Sequence, residues 1–250
     1  MDLLASAVVL GIVSGLLYAL SGAGLVLIYR ASGYVSFAQG DIAAVGLFAS
    51  YGLHTAGAPY PVIAIVTVVV CAALAGIIAV TAVLPVEKHG ALSAAMATIA
   101  VGIFLQGAAT ATVGNESRPF PSAGDGTALT LGSVSLQQAQ VVTLIAAALV
   151  FIALAVAFKK SAVGVVIRAV NDNPTAAHLM GVPAKRVKVL CWIGAGAMAG
   201  LAGLFVVPLY SLTPTSVNAI LLFGFCAIVI GGFDSVSGAV IGGIVVGLTA

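Results

Sequence analysis

Long apolar runs alternate with short polar links along this chain, and most of the runs match the thickness of a bilayer. A spanning helix needs roughly 20 apolar residues. The pattern predicts such helices over residues 3–28, 61–84, 91–113, 140–158 and 189–209. The first run lacks a basic leading segment and a small-residue cleavage site, so it reads as a retained helix rather than a signal peptide. A shorter run over 42–53 follows a polar link and either spans or re-enters; the charge pattern counts it as one crossing. The run over 217–230 is short for a perpendicular span and fits a re-entrant or broken helix. A last apolar run begins near Gly238 and is still apolar at Ala250, so the chain is expected to continue beyond that residue.

Composition narrows the fold class. Charged residues make up 6% of the chain and hydrophobic residues 62%, with a mean hydropathy of +1.24. A soluble domain carries about 25% charged residues, so the outer surface of this one faces lipid. The expected fold is all-α: a single polytopic bundle of transmembrane helices over residues 1–250, with a long cytoplasmic loop over 159–188. The 30 glycines suit such a bundle, since small residues let helix backbones approach closely. The GxxxG pairs Gly11/Gly15, Gly196/Gly200, Gly238/Gly242 and Gly243/Gly247 mark candidate helix seams.

The net charge of +2 says less than its distribution. Eight of the nine basic residues fall in alternate loops: Arg30, Lys88, Lys159, Lys160, Arg168, Lys185, Arg186 and Lys188. Arg118 alone falls on the other side. Basic residues are retained in the cytoplasm, which places the N-terminus and the 114–139 loop outside and the 159–188 segment inside. Cys71, Cys191 and Cys226 each lie in an apolar run with no metal-binding or redox spacing, and read as small packing residues.

The cytoplasmic segment carries explicit helix punctuation. Asn173 suits an N-cap, Pro174 the first helical position and Gly181 the residue after the helix. The intervening helix has fewer than two turns and needs something else to hold it. Its apolar residues Ala176, Ala177, Leu179 and Met180 suggest a contact surface, either for a partner protein or for the membrane interface.

Here the chain resembles a known family. RAVNDNPTAAHLMGV, residues 168–182, is similar to the cytoplasmic loop of ABC-type branched-chain amino acid permeases. GLVLIYRASGYVSFAQGD, residues 24–41, resembles that family's N-terminal signature, and GGFDSVSGAVIGG, residues 231–243, its glycine-rich C-terminal block. The likeness covers nearly the whole chain and is greatest to the first of the family's two permease types. Ser36 and Asp41 stand where Asn and Glu are commoner in the family. The resemblance implies a coupling helix in which Asn173, Pro174, Ala176, Ala177, Leu179, Met180 and Gly181 dock on an ATPase. It implies a second permease subunit, two cytoplasmic ATP-binding subunits and an extracytoplasmic solute-binding protein as partners, in a bacterial inner membrane. The family usually continues for one or two helices past the point that Ala250 represents.

The rest of the sequence agrees with a transport subunit that is not itself an enzyme. It has no GxxxxGK[ST] phosphate loop, so no cofactor is expected in this chain and ATP belongs to partner subunits. No feature points to nucleic acid, and lipid is the expected surroundings. Gln39, Gln106 and Thr98 place polar groups in or beside apolar spans, either to line a pathway or to bond between helices. Asp41 is read as a helix cap, Asp234 as a loop acid and His178 as a solvated residue. An ion-coupled carrier lacks the paired intramembrane carboxylates it would need, and an intramembrane enzyme lacks a catalytic constellation. Permeases for urea and short amides share the pattern, so the residues leave the substrate open.

Overall fold

A computed structural model describes residues 2–122, 127–131, 134–160 and 162–249. Helix α1 (Asp2–Ser32) runs through the centre of the bundle, with Leu20, Leu25, Val26, Ile28 and Ala31 fully enclosed. Helix α2 (Gln39–Thr55) buries nine of its residues, Asp41 among them. Its first half is enclosed by other helices, and hydropathy alone does not distinguish such a segment from one that faces lipid.

Helix α3 (Tyr60–Ile78) turns one stripe inward at helical spacing, Ile63, Thr67, Cys71, Ala75 and Ile78. It continues through a π-turn (Ala79–Val83) into α4 (Leu84–Glu87). Pro85 explains the π-turn: it offers no N–H and its ring crowds the carbonyl four residues back, so the ladder widens instead. Helix α5 (Ala91–Val113) buries Ala94, Thr98, Gly102, Leu105 and Ala109 and leaves the rest of its circumference open. Between α5 and α6, strands β1 (Thr127–Leu131) and β2 (Val134–Gln137) form an antiparallel hairpin, an addition to the helical bundle in a segment that reads as plain loop.

Helix α6 (Gln138–Lys160) leads into α7 (Ala162–Asp172) and the short α8 (Pro174–Leu179). Helix α9 (Ala184–Tyr210) begins five residues before the apolar run that predicts it, because it starts right after Pro183 and takes in the basic residues Lys185, Arg186 and Lys188. Helices α10 (Ser216–Gly231) and α11 (Val236–Thr249) are bent by 117° at Gly232, whose φ of 93° is open to glycine. The run over 217–230 is thus one continuous helix, and the break lies just after it, between α10 and α11, as a broken span or a re-entrant loop would have it. Among the described residues, four helices are long and apolar enough to cross a membrane, or up to five when the bent pair counts as one span.

The GxxxG motifs close within the chain. Gly11 and Gly15 of α1 lie against Gly247 and Gly243 of α11, where an added Cβ would come within 2.8 and 2.7 Å of a carbonyl oxygen. Gly196 and Gly200 of α9 lie on Cys71 of α3, and Gly238 and Gly242 of α11 lie on Gly231 and Ala227 of α10. These seams build the protomer.

The ends of the bundle separate charge. At one end Lys188 of α9 pairs with Glu87 of α4, beside Lys88, and Arg30 and Arg168 line one cavity. At the other end Arg118 exchanges backbone hydrogen bonds with Leu212 and lies over the Tyr51 ring, 5.5 Å from its centroid. The basic end is the one that the positive-inside rule assigns to the cytoplasm.

Candidate functional site

The segment expected in the cytoplasm forms two consecutive helices, α7 and α8. Along α7 the buried residues Gly164, Ile167 and Val170 alternate at helical spacing with exposed Val165, Arg168, Asn171 and Asp172, so one face of the helix seats against the bundle. The side chain of Asn173 then accepts a hydrogen bond of 2.9 Å from the backbone N–H of Ala176 and caps α8, with Pro174 in its first turn. Gly181 ends the helix with φ of 83°, a left-handed conformation that a β-branched residue resists. A backbone bond of 2.9 Å from Val182 N–H to the Ala177 carbonyl closes the turn.

The side chains of α8 divide into two sets. Leu179 and Met180 are 83% and 84% exposed, an unusual state for two large apolar residues side by side. Ala176, Thr175 and His178 are exposed with them. Ala177 departs from the expectation: it is 5% exposed and faces the chain's own interior. One turn of helix cannot present all of its residues outward, and Ala177 is the one that anchors it. The outward surface is thus Ala176, Leu179 and Met180.

A second polar group sits at the foot of α2. The Gln39 amide donates a bond of 2.6 Å to the carbonyl of Ala195 on α9. The hydroxyl of Thr98 on α5 accepts from the Phe37 N–H at 3.1 Å and donates to the Ala95 carbonyl at 2.7 Å. The Asn218 amide on α10 donates to the Asp41 carboxylate at 3.0 Å. Ala195 stands 11 residues into α9, which at 1.5 Å per residue is about 16 Å from its start. The foot of α2 therefore lies inside the bundle, reached by the link over 33–38.

These positions decide what the polar residues do. Gln39 and Thr98 are 1% and 0% exposed and bond between elements, so in this conformation they hold helices rather than line an open path. Gln106 is partly exposed on α5 and remains available to a pathway. Asp41 stands in the first turn of α2, near the positive helix end as expected, although Ala38 occupies the N-cap position itself, and its carboxylate also accepts from Asn218. Asn218 is a residue the sequence reading passed over, although an amide at the start of an apolar helix was a visible signal. Among the described residues no three His, Cys, Asp or Glu side chains are grouped to hold a metal.

The family model described as branched-chain amino acid transport system / permease component matches residues 7–250. This chain belongs to that permease family. Among its relatives, the probable branched-chain amino acid transport permease protein LivH of Methanocaldococcus jannaschii is 28% identical over 90% of this chain and 73% of its own length. The high-affinity branched-chain amino acid transport system permease protein LivH of Escherichia coli K12 is 28% identical over 95% of this chain and 82% of its own length. The nucleoside ABC transporter permease protein NupB of Lactococcus lactis is 42% identical over 60 residues, 24% of this chain and 16% of its own length. No solved structure matches. Membership in the permease family and a bundle of membrane-crossing helices make the chain an integral membrane transport subunit.

Proposed function

We propose that this chain forms half of the translocation pathway of an ATP-driven importer for branched-chain amino acids in a bacterial inner membrane. The observation that carries this reading is the likeness to permeases of that name along nine-tenths or more of the chain. A second permease subunit completes the pathway, two cytoplasmic subunits bind and hydrolyse ATP, and a soluble protein delivers the solute from outside. The open face of α5, with Leu92, Met96, Ile103 and Phe104 exposed, supplies surface toward the second subunit and the pathway. Helix α8 is the coupling helix: Leu179 and Met180 enter an apolar groove on the ATPase, as an amphipathic helix does in other helix-in-groove complexes. Movement of that groove on ATP binding then rocks α7 and the helices joined to it.

Reconstitution of the complex in vesicles tests the reading. Leucine uptake should need internal or external ATP on the side of the ATPase, be blocked by vanadate and survive an uncoupler. Uptake of urea but not leucine would replace the substrate, and uptake abolished by the uncoupler alone would replace the mechanism. Leu179→Glu and Met180→Glu place a charge where an apolar contact is proposed, and burying an unpaired charge costs several kcal/mol. Both variants should insert normally, lose co-purification of the ATPase and lose uptake. Wild-type recovery of the ATPase together with wild-type uptake would sink the coupling role.

A further inference from the structure

A cavity of ≈ 500 Å³ opens at the cytoplasmic end of the bundle, lined by no residue of α8 or of the foot of α2. Arg30 from the last turn of α1 and Arg168 from α7 line it, together with Ser235 and Ser237 at the start of α11. Asp234 is also in the lining, so its formal charge is +1. Val236 and Ser237 supply first-turn N–H groups that α11 cannot satisfy internally, at the positive end of a 14-residue helix. Ser235 Oγ caps the same helix by accepting from Gly238 N–H at 2.9 Å. Neither arginine is without a partner in the chain, but a guanidinium has five N–H donors and can hold a partner and an oxyanion together.

The other wall of the cavity is apolar and leads into the membrane. Ile152 of α6 and Ile241 of α11 line it while remaining 61% and 64% exposed. From them, an exposed stripe runs along each helix: Ile145 and Leu149 on α6, Val245 and Leu248 on α11. Helices α6 and α11 both pack on α1 and touch each other only slightly, leaving a furrow between them. A ligand that fits this place carries an anionic head at the basic end and an acyl chain along the furrow.

We infer that this cavity binds one anionic phospholipid of the inner leaflet, its phosphate held by Arg30 and Arg168 and its acyl chain lying between α6 and α11. Basic pockets between helices on the cytoplasmic side of a membrane protein attract anionic headgroups on general electrostatic grounds. The occupied site joins α1, α7 and α11 through one phosphate, and so ties the base of α7 to the bundle.

Native mass spectrometry of the detergent-solubilised permease, with equal phosphatidylglycerol and phosphatidylcholine added, reads the preference directly. The wild-type chain should retain one phosphatidylglycerol with about tenfold preference or more. The Arg30→Gln/Arg168→Gln pair should bind both lipids equally, and Lys185→Gln/Arg186→Gln, two exposed basic residues outside the cavity, should behave as wild type. Should the double variant fail to fold, Ile241→Trp leaves both arginines in place and fills the furrow at an exposed position, and it should also abolish retention. Equal binding of the two lipids by the wild type, or a preference that survives both the double variant and Ile241→Trp, would overturn the assignment. Displacement of phosphatidylglycerol by millimolar inorganic phosphate would also overturn it, by showing a site for free anions that does not use the acyl chain.

Discussion

The side-chain amide of Asn218 donates a 3.0 Å hydrogen bond to the carboxylate of Asp41, joining two helices across a sequence separation of 177 residues. Both groups lie within the bundle, and Asp41 is 6% exposed. A carboxylate at such a depth needs a donor, since an unpaired charge removed from water is costly. Asn218→Leu takes that donor away and should lower stability by about 3 kcal/mol. Asp41→Asn keeps an oxygen acceptor in place and should cost under about 1 kcal/mol. Denaturation of the purified permease, followed by circular dichroism, separates the two. Equal losses for both variants would mean that the bond matters less than packing.

The glycine seam between α1 and α11 gives a steric prediction. A Cβ at Gly15 would come within 2.7 Å of the Gly243 carbonyl oxygen, so Gly15→Leu must push the helices apart. Overpacking of this kind costs about 1–3 kcal/mol. Gly107 on α5 has no neighbouring atom within 4 Å of an added Cβ. Gly107→Leu should leave the melting temperature unchanged while Gly15→Leu lowers it by several degrees.

How far these features were legible depends on whether they are local. The cap of α8 is a matter of four or five consecutive residues, and Asn173, Pro174 and Gly181 announce it in the sequence. The seams are half legible: Gly11/Gly15 and Gly243/Gly247 mark small surfaces, but nothing in a motif says that the two surfaces meet each other. Ala177 was read as outward because composition cannot orient a one-turn helix. The burial of α2 escaped for a more basic reason: a helix surrounded by helices and one surrounded by lipid have the same hydropathy. The first-turn place of Asp41 is legible locally, whereas its bond to Asn218 is not, because that partner lies on a helix far along the chain. Of the two paired strands, Val-Ser-Leu-Gln alternates but Thr-Ala-Leu-Thr-Leu does not, and both sit among prolines and glycines that suggest only a loop.

Glu87 and Lys188 form a largely buried ion pair at the cytoplasmic end, with side chains 17% and 14% exposed. Each single neutral substitution strands a charge, whereas the double substitution strands none. Glu87→Gln and Lys188→Gln should each destabilise by about 1–3 kcal/mol, and the double variant by less than their sum. An additive double-mutant cycle would show that the two charges act independently.

Topology follows from the separation of charge between the ends. A cysteine at Glu116, exposed at the end that holds Arg118, should react with an impermeant thiol reagent from outside intact cells. One at Asn171, exposed on α7, should react only after permeabilisation. The background should carry Cys226→Ala, since Cys226 is exposed whereas Cys71 and Cys191 are buried. Reversed labelling would turn the whole bundle over and remove α8 from the cytoplasm.

The foot of α2 sets a timetable for biogenesis. Gln39 bonds to a carbonyl 156 residues later and Asp41 to an amide 177 residues later. At synthesis rates of about 5–20 residues per second, Asp41 leaves the ribosome roughly 9–35 s before its partner exists. In that interval α2 is a 17-residue helix with a polar end, packed on α3 and α5 but still without α9 and α10. It must wait beside the insertion machinery, or at the membrane surface, until α9 and α10 arrive to receive it. A ribosome that stalls between residues 60 and 190 would strand this helix, so quality-control proteases should recognise truncated chains by α2 rather than by any exposed loop.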